Sequence, residues 1–525
     1  MGFAQVLSRA QAGLAAPLVT VEVHLGSGLP TFTIVGLPAA AVRESRERVR
    51  AALATCGFDL PAGRITVNLA PADLPKEGGR YDLAVALGIL LASGQLKPRF
   101  DVARTEFYGE LGLTGEIKAV PGLLLAALHA GRAGHALVIP ACNAPDVRQA
   151  SAEVHALRGL AELAPGDSGA GQRPLPELAP RAAAPEVVTD CSAPGAVATP
   201  DLADVRGQHQ AKRALLITAA GGHSLLMLGP PGSGKTMLAQ RLPGLLPPLD
   251  PAQALEVAAI AAVAQSLPGA RAGTADTRSP LWPPFRAPHH TASANAIVGG
   301  GTAVQPGEVS LAHHGVLFLD ELPEFDRRVL ESLREPLESG RVSVVRANQR
   351  AEYPAAFLLV AAMNPCPCGR QGLVLPPCRC NPTQIERYRG RISGPLLDRI
   401  DLQLRLAQVE ARELTGGGDS GHEHPASPGS ISTEQARAQV GLARERQWAR
   451  QGCLNARLQA GDTLKHCRAD AASLSLLARA AGRRGSSARA QHRILRVARS
   501  IADLAGRDQV QADDVAEAVA LRLED

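Results

Sequence analysis

Residues 225–236 read LLMLGPPGSGKT: four apolar residues, Leu225 to Leu228, run straight into a loop of glycine and proline that closes on Lys235 and Thr236. The spacing G-x-x-x-x-G-K-[ST] is complete, with Gly229, Gly234, Lys235 and Thr236 in the required places. The apolar run reads as a buried parallel strand, and the residues from Met237 onward read as a helix. Between them Pro230, Pro231, Gly232 and Ser233 complete a turn whose backbone N–H groups, with the start of the helix, can cradle phosphate oxygens. Lys235 then reaches the outer phosphates, and the Thr236 hydroxyl joins the shell of a Mg²⁺ ion. The expected ligands are ATP and Mg²⁺.

Downstream, Gly315 to Glu321 (GVLFLDE) is a second short apolar strand, this one ending in two carboxylates. Asp320 suits the Mg²⁺ shell and Glu321 suits polarising a water that attacks the γ-phosphate. A pure nucleotide binder needs only the first, so the adjacent pair predicts hydrolysis.

At 525 residues the chain has room for about three domains. Its net charge of +5 neither demands nor excludes a nucleic-acid partner. No signal-peptide pattern opens the chain, and apolar stretches are broken by charge, Gly or His before they reach membrane-spanning length. A soluble, cytoplasmic protein with no membrane partner is expected. Four of the nine cysteines crowd into 366–380, which is not the pattern of a secreted disulfide framework. Cys366, Cys368, Cys378 and Cys380 form two C-x-C pairs nine residues apart, enough thiolates to close a tetrahedral shell around a structural Zn²⁺. The usual spacing is C-x-x-C, so reduced free thiols and an iron–sulfur or redox pair stay open as alternatives.

Residues 1–162 alternate strand and helix patterns: strands at 20–23, 31–35, 65–69, 107–111 and 136–139, and helices at 43–54, 82–91 and 122–130. The most polar loop there carries Lys76, Glu77 and Arg80. Through PKEGGRYDLAVALG and LTGEIKAVPGLLLAA this segment resembles the proteolytic domain of Lon-type proteases, a ribosomal-protein-like α/β fold. That resemblance implies a Ser–Lys dyad, yet Arg80 stands where the Ser should be and Leu124 where the Lys should be. Neither side chain can do the work, so no protease activity is expected. Residues 163–199, rich in Pro, Ala, Gly and Ser, read as a flexible linker, and so do 414–430. The last segment, 431–525, is helical throughout.

Beyond the linker, Asp204 to Gln208 opens a helix ahead of the phosphate loop, and residues 200–413 resemble an AAA+ ATPase core. The stretches GQHQAKRALLITAAGGHSLLMLGPPGSGKT, FRAPHHTASANAIVGGG, PGEVSLAHHGVLFLDELPEF, MNPCPCG and GPLLDRIDL resemble the ComM/YifB family of Mg-chelatase-like AAA+ proteins. The resemblance implies a multidomain α/β chain: a Lon-protease-like domain, a P-loop core and a C-terminal helical lid at 431–525. It places Gln208 near the nucleotide, Asn364 as the first sensor of the γ-phosphate and Arg489 as the second. It makes Arg399 an arginine finger for a neighbouring subunit, unless Asp398 saturates it. It also makes 284–310 an insert forming a hairpin toward a ring pore, with Phe285, Arg286, His289 and His290 its most interactive residues.

The histidine pairs His289-His290 and His313-His314 invite a metal, but adjacent side chains diverge and no carboxylate shares their spacing. On the third lid helix Arg489, Arg493 and Arg496 recur on one face, and with Arg483, Arg484 and Arg499 they either track a phosphate backbone or solvate the surface.

The family implies a homo-oligomeric ring, expected to be a hexamer. It would work on single-stranded or branched DNA as a branch-migration helicase in natural transformation, with recombination proteins as partners. Two other readings stand beside it: a motor subunit of a metal chelatase, and a protein remodeller or regulatory scaffold.

Overall fold

The computed structural model describes residues 2–36, 40–74, 76, 78–97, 100–148, 150–163, 200–265, 281–301, 304–346, 349–373, 376–408, 431–484 and 487–522. Both expected linkers lie outside the described residues apart from Leu163. The chain divides into two compact units.

The first unit begins with β1 (Gly2–Arg9), β2 (Leu18–Gly26), β3 (Thr31–Val35), α1 (Ala40–Thr55), β4 (Arg64–Ala70) and α2 (Asp82–Ala92). It continues through β5 (Thr105–Phe107), β6 (Glu110–Leu111), β7 (Ile117–Lys118), α3 (Leu123–Ala133), β8 (Ala136–Pro140) and β9 (Val154–Leu157). Seven strands form one mixed sheet in the order β3-β4-β2-β1-β5-β8-β9. Alternation explains the inner strands: Val19, Val21 and Val23 of β2 and Ile65, Val67 and Leu69 of β4 are buried, while their neighbours along each strand are not. Helix α2 is buried along nearly its whole length and lies close to the sheet. A Cβ on Gly88 would fall 2.5 Å from Val23 Cγ2, so only glycine permits that approach.

The strand expected at 107–111 is two strands, β5 and β6, with Tyr108 and Gly109 between them; β6 leaves the main sheet to pair with β7. Arg80 is buried and donates to the carbonyl of Pro121 at 2.6 Å, and Leu124 is a buried helix residue. Lys76 is also buried, its ammonium donating to the carbonyls of Gly36, Pro71 and Leu74.

The second unit opens with α4 (His209–Gly221), β10 (Leu225–Leu228), α5 (Lys235–Leu245) and the part of α6 (Pro251–Gln265) up to Val257, then β11 (Phe285–Arg286), α7 (Ala294–Val298), β12 (Gly299–Gly300) and β13 (Gln305–Pro306). Next come α8 (Glu308–Leu311), β14 (Val316–Leu319), α9 (Arg327–Ser332), α10 (Arg334–Ser339), β15 (Arg341–Arg346), β16 (Gln349–Pro354) and β17 (Leu358–Met363). Helices α11 (Pro382–Arg389) and α12 (Gly394–Leu397) lead to β18 (Leu402–Arg405). The chain ends in α13 (Thr433–Gln451), α14 (Ala460–Cys467), α15 (Ala471–Arg484), α16 (Ala488–Leu504) and α17 (Ala512–Ala520).

Five strands form an all-parallel sheet in the order β11-β14-β17-β10-β18. Every residue of β10, β14 and β17 is buried, as expected of strands covered on both faces. From β10 the chain crosses to the far edge, returns strand by strand to β17, and then jumps to β18 on the other side of β10. The carboxyl end of β10 therefore faces a topological switch point, where α/β sheets bind ligands. The C-terminal helices pack onto α4 and α5, and one apolar cluster runs from Leu215 and Met227 to Ala443, Ile494 and Val515.

The expected hairpin at 284–310 is a more broken path. It is one edge strand, the short helix α7, a two-residue pairing of β12 with β13, and α8. Phe285 stacks on Phe318 with ring centroids 6.1 Å apart, and Arg286 forms a two-pronged ion pair with Glu308 at 2.6 and 2.8 Å. Both side chains therefore serve the sheet and the α8 junction.

Candidate nucleotide site

At the carboxyl end of β10 the chain turns through Gly229 to Gly234, with Gly232 and Gly234 at φ 76 and 87. The turn is braced from inside: Ser233 Oγ donates to the Pro230 carbonyl at 2.8 Å. Gln208, itself left-handed at φ 50, clamps it from outside by donating to the carbonyls of Ser233 at 3.2 Å and Ala407 at 2.9 Å. The sequence places Gln208 near the nucleotide; in the fold it ties the loop to the chain just after β18.

Lys235 Nζ donates to the carbonyls of Gly229 and Pro230 at 2.7 and 2.9 Å and to Asn364 Oδ1 at 3.3 Å. Burial pulls its pKa below the usual lysine value, opposed by the charges of Asp320 and Glu321. Thr236 Oγ1 donates to Asp320 Oδ2 at 2.7 Å. Strands β10, β14 and β17 thus bring residues from 235, 320 and 364 to one point, although well over a hundred positions separate the first from the last. A hydroxyl and a carboxylate oxygen in contact are the hard donors that Mg²⁺ prefers, so the pair fits that ion.

Glu321 sits in the left-handed region at φ 52, its backbone N–H donating to Asp320 Oδ1 at 2.9 Å. A non-glycine residue there carries strain of the kind that collects at functional sites. Its carboxylate lies half-exposed, 3.4 Å from His290 Nδ1. His290 also lines a cavity bounded by Thr291–Ala294 on one side and by Glu324, Asp326 and Arg328 on the other.

The loop after β17 carries the cysteines. The Sγ atoms of Cys366, Cys368 and Cys378 are 3.4 to 3.6 Å apart, and with Cys380 all four lie within 4.8 Å of one another. These separations are too long for disulfides and close to the ~3.8 Å edge of a tetrahedron with Zn–S bonds of ~2.3 Å. Gly369, at φ 74, lies against the phosphate loop: a Cβ there would fall 2.6 Å from Pro231 Cδ. The thiol cluster, Asn364 and the phosphate loop are one packed unit.

The histidine pair at 313–314 does meet a carboxylate, against expectation, because α6 swings Glu256 to within 3.1 Å of His313 Nε2 and 2.9 Å of His314 Nε2. His313 nonetheless makes a poor ligand. The Ala356 N–H donates to its Nδ1 at 3.0 Å, so the neutral ring keeps its proton on Nε2 and donates to Glu256. The cluster is a hydrogen-bonded clamp between α6 and the start of β17.

The arginines separate into two groups. Arg493 is buried near Asp401, Arg496 reaches Thr463 and the Ala456 carbonyl, and Arg499 is fully enclosed by Asp503 and three carbonyls. The row expected to track phosphates or solvate a surface instead ties the helices together, since α16 is covered on that face. The side chains of Arg483 and Arg484 lie outside the described residues.

Arg399 and Arg489 form the second group. Arg399 Nη2 pairs with Glu338 Oε1 at 2.6 Å, and Arg489 Nη2 approaches the same oxygen at 3.4 Å. Arg399 is also at the wrong end of the sheet for its own phosphate loop. Ser224 Oγ, just before β10, donates to the Arg399 carbonyl at 2.9 Å, whereas the phosphate loop begins after β10, ~13 Å further along.

Over its full length the chain is similar to the competence protein ComM of Haemophilus influenzae, 45% identical over 526 residues, covering 99% of this chain and 98% of that protein. The chain belongs to the ComM/YifB family. YifB of Salmonella typhimurium is likewise 45% identical, over 99% of this chain and 97% of its own. Within this ComM/YifB chain, residues 201–414 match the family described as magnesium chelatase, subunit ChlI, and 430–522 match its C-terminal part. Residues 21–143 match a family described as subunit ChlI of Mg-chelatase. The 67 kDa magnesium-chelatase subunit of Heliobacterium mobile is 27% identical over 42% of this chain and 34% of its own length. Among the described residues no helix is long and apolar enough to cross a membrane.

Proposed function

We propose that this ComM/YifB-family chain is an ATP-hydrolysing ring motor that acts on DNA in the cytoplasm, as a branch-migration helicase in natural transformation. The observation that carries the reading is the convergence of Lys235, Thr236, Asp320, Glu321 and Asn364 at one switch point of a parallel sheet. Lys235 leaves the Gly229 and Pro230 carbonyls to grip the outer phosphates, and Asn364 orients the attacking water, from which Glu321 takes a proton. Thr236 and Asp320 would hold Mg²⁺, which neutralises charge on the phosphate oxygens when bound. The position of Arg399, at the opposite end of the sheet from its own phosphate loop, supports a role on a neighbour's nucleotide and hence a homo-oligomeric ring, a hexamer in this proposal.

DNA as the substrate rests on the full-length likeness to a competence protein. The chelatase reading has weaker support: the chelatase subunit's likeness spans under half of this chain. Residues 1–162, a Lon-protease-like domain in this proposal, serve as a scaffold or contact surface, because Arg80 and Leu124 are buried structural residues. Cys366, Cys368, Cys378 and Cys380 hold a structural Zn²⁺ that stiffens the loop between Asn364 and Arg399.

The test is the ATPase rate of the purified chain with single-stranded, duplex and branched DNA at low and moderate salt. Stimulation by branched DNA that weakens as salt rises supports the motor. A rate indifferent to every DNA, with no salt-dependent binding, refutes it.

A further inference from the structure

Glu338 appears in no motif, yet it is where two long-separated arginines meet. It lies in the last turn of α10, just before β15. Its Oε1 lies 2.6 Å from Arg399 Nη2 and 3.4 Å from Arg489 Nη2, an ion-pair distance to each. Arg399 comes from the turn before β18 and Arg489 from the first turn of α16; the nearby Arg493–Asp401 pair, 3.9 Å apart, joins the same two regions one turn further along α16. Only about a tenth of the Arg399 side chain is exposed, and its Nη1 donates to the Pro395 carbonyl at 2.7 Å. Its Nε is buried without an acceptor. A guanidinium this enclosed needs a carboxylate beside it, because an uncompensated buried charge is costly. Two guanidiniums on one oxygen would also repel each other if that oxygen lost its charge.

We infer that Glu338 is a positioning residue which gathers Arg399 and Arg489 into a single phosphate-sensing pair, and that this pair serves the nucleotide of the neighbouring subunit. The inference rests on the ring-ATPase reading and deepens it. Arg399 stands at the amino end of the sheet, beside Ser224. Arg489, sharing its carboxylate, stands there too and not over the chain's own Lys235. One edge of each subunit therefore carries the phosphate loop and its carboxylates, and the opposite edge carries the Arg399–Glu338–Arg489 cluster. The carboxylate leaves the three-residue cluster with one net positive charge, which suits an incoming phosphate.

The test is complementation in mixed rings, read as turnover alongside melting temperature and ring size. Lys235→Ala removes the nucleotide-gripping edge and Arg399→Ala the sensing edge. Glu338→Gln keeps the shape of the side chain and removes its charge. It should lower kcat by about tenfold or more with the KM for ATP little changed, since the chain's own phosphate loop is untouched. Glu338→Asp should recover part of the rate. Mixed with Lys235→Ala subunits, Glu338→Gln should regain turnover, because each partner supplies the edge the other lacks. Mixed with Arg399→Ala subunits it should regain none, because both are defective on the same edge.

Wild-type turnover in Glu338→Gln overturns the inference, and so does recovery with Arg399→Ala. If Arg399→Ala and Lys235→Ala themselves fail to complement in intact rings, the cross-subunit reading fails first and takes this inference with it. Complementation of that control with a fully active Glu338→Gln removes Glu338 alone.

Discussion

Asn364 holds its side-chain oxygen 3.3 Å from the Lys235 ammonium, across two adjacent parallel strands whose ends meet at the phosphate loop. In the proposed motor, the contact joins the residue assigned to grip phosphate to the one assigned to orient water. It exists because β17 pairs with β10 in the register Leu228↔Met363, which leaves Gly229 and Asn364 side by side. Replacing Asn364 by alanine should leave ATP bound and slow hydrolysis by on the order of 10²-fold, the usual cost of one preorganised polar group at a reacting centre. Lys235→Ala should abolish ATP binding itself. Equilibrium binding beside single-turnover hydrolysis separates the two.

Gly369 against Pro231 makes a sharper separation possible. A methyl group there meets Pro231 at 2.6 Å and strains a backbone at φ 74, while all four thiols remain. On the proposed zinc site, Gly369→Ala should therefore take up as much zinc as the wild type and bind ATP more weakly. Cys366→Ser should lose the zinc and lower the melting temperature. Metal analysis and ATP titration on both variants check this; equal zinc contents in the wild type and Cys366→Ser would retire the metal.

His313 gives the second unit a pH dependence of known sign. Burial is the main cause that pulls its pKa down from 6.5 to about 4; the charges of His314 and Arg457 add to it, and Glu256 opposes them. The unfolded chain takes up a proton near pH 6.5 and the folded chain does not until about pH 4. Below pH 6.5 the unfolded state thus binds more protons, and the contribution to stability is progressively lost as pH falls to about 4. Full loss amounts to at most ~3 kcal/mol, at 1.36 kcal/mol per unit. The melting temperature should fall less steeply over that window in His313→Gln than in the wild type. Parallel curves would assign the acid sensitivity elsewhere.

Much of the core was legible because its strands are uniformly apolar and end in chemistry. LLML before the phosphate loop, VLFL before Asp320 and LLVAAM before Asn364 are continuous runs, and each is a buried strand at its expected place. The β15–β16 hairpin and β1 were missed. RVSVVR and GFAQVLSR alternate only imperfectly and carry charge, yet a period-2 count across them would have found both.

What sequence cannot carry is a partner brought from afar. Glu256 meets His313 only through the path of α6, and Glu338 meets Arg399 only through the path of α10. The arginine row on α16 misled for a related reason: periodicity shows which residues share a face, while only packing shows whether that face is covered.

If, as proposed, a triphosphate held by Lys235 is cut with the help of Glu321, removing the Glu321 base alone is decisive. Glu321→Gln keeps the shape of the side chain and removes the base, so the purified variant should retain ATP and release almost no phosphate, with or without branched DNA. Phosphate release at the wild-type rate from Glu321→Gln would contradict the account, as would a wild-type chain that neither retains nor hydrolyses ATP.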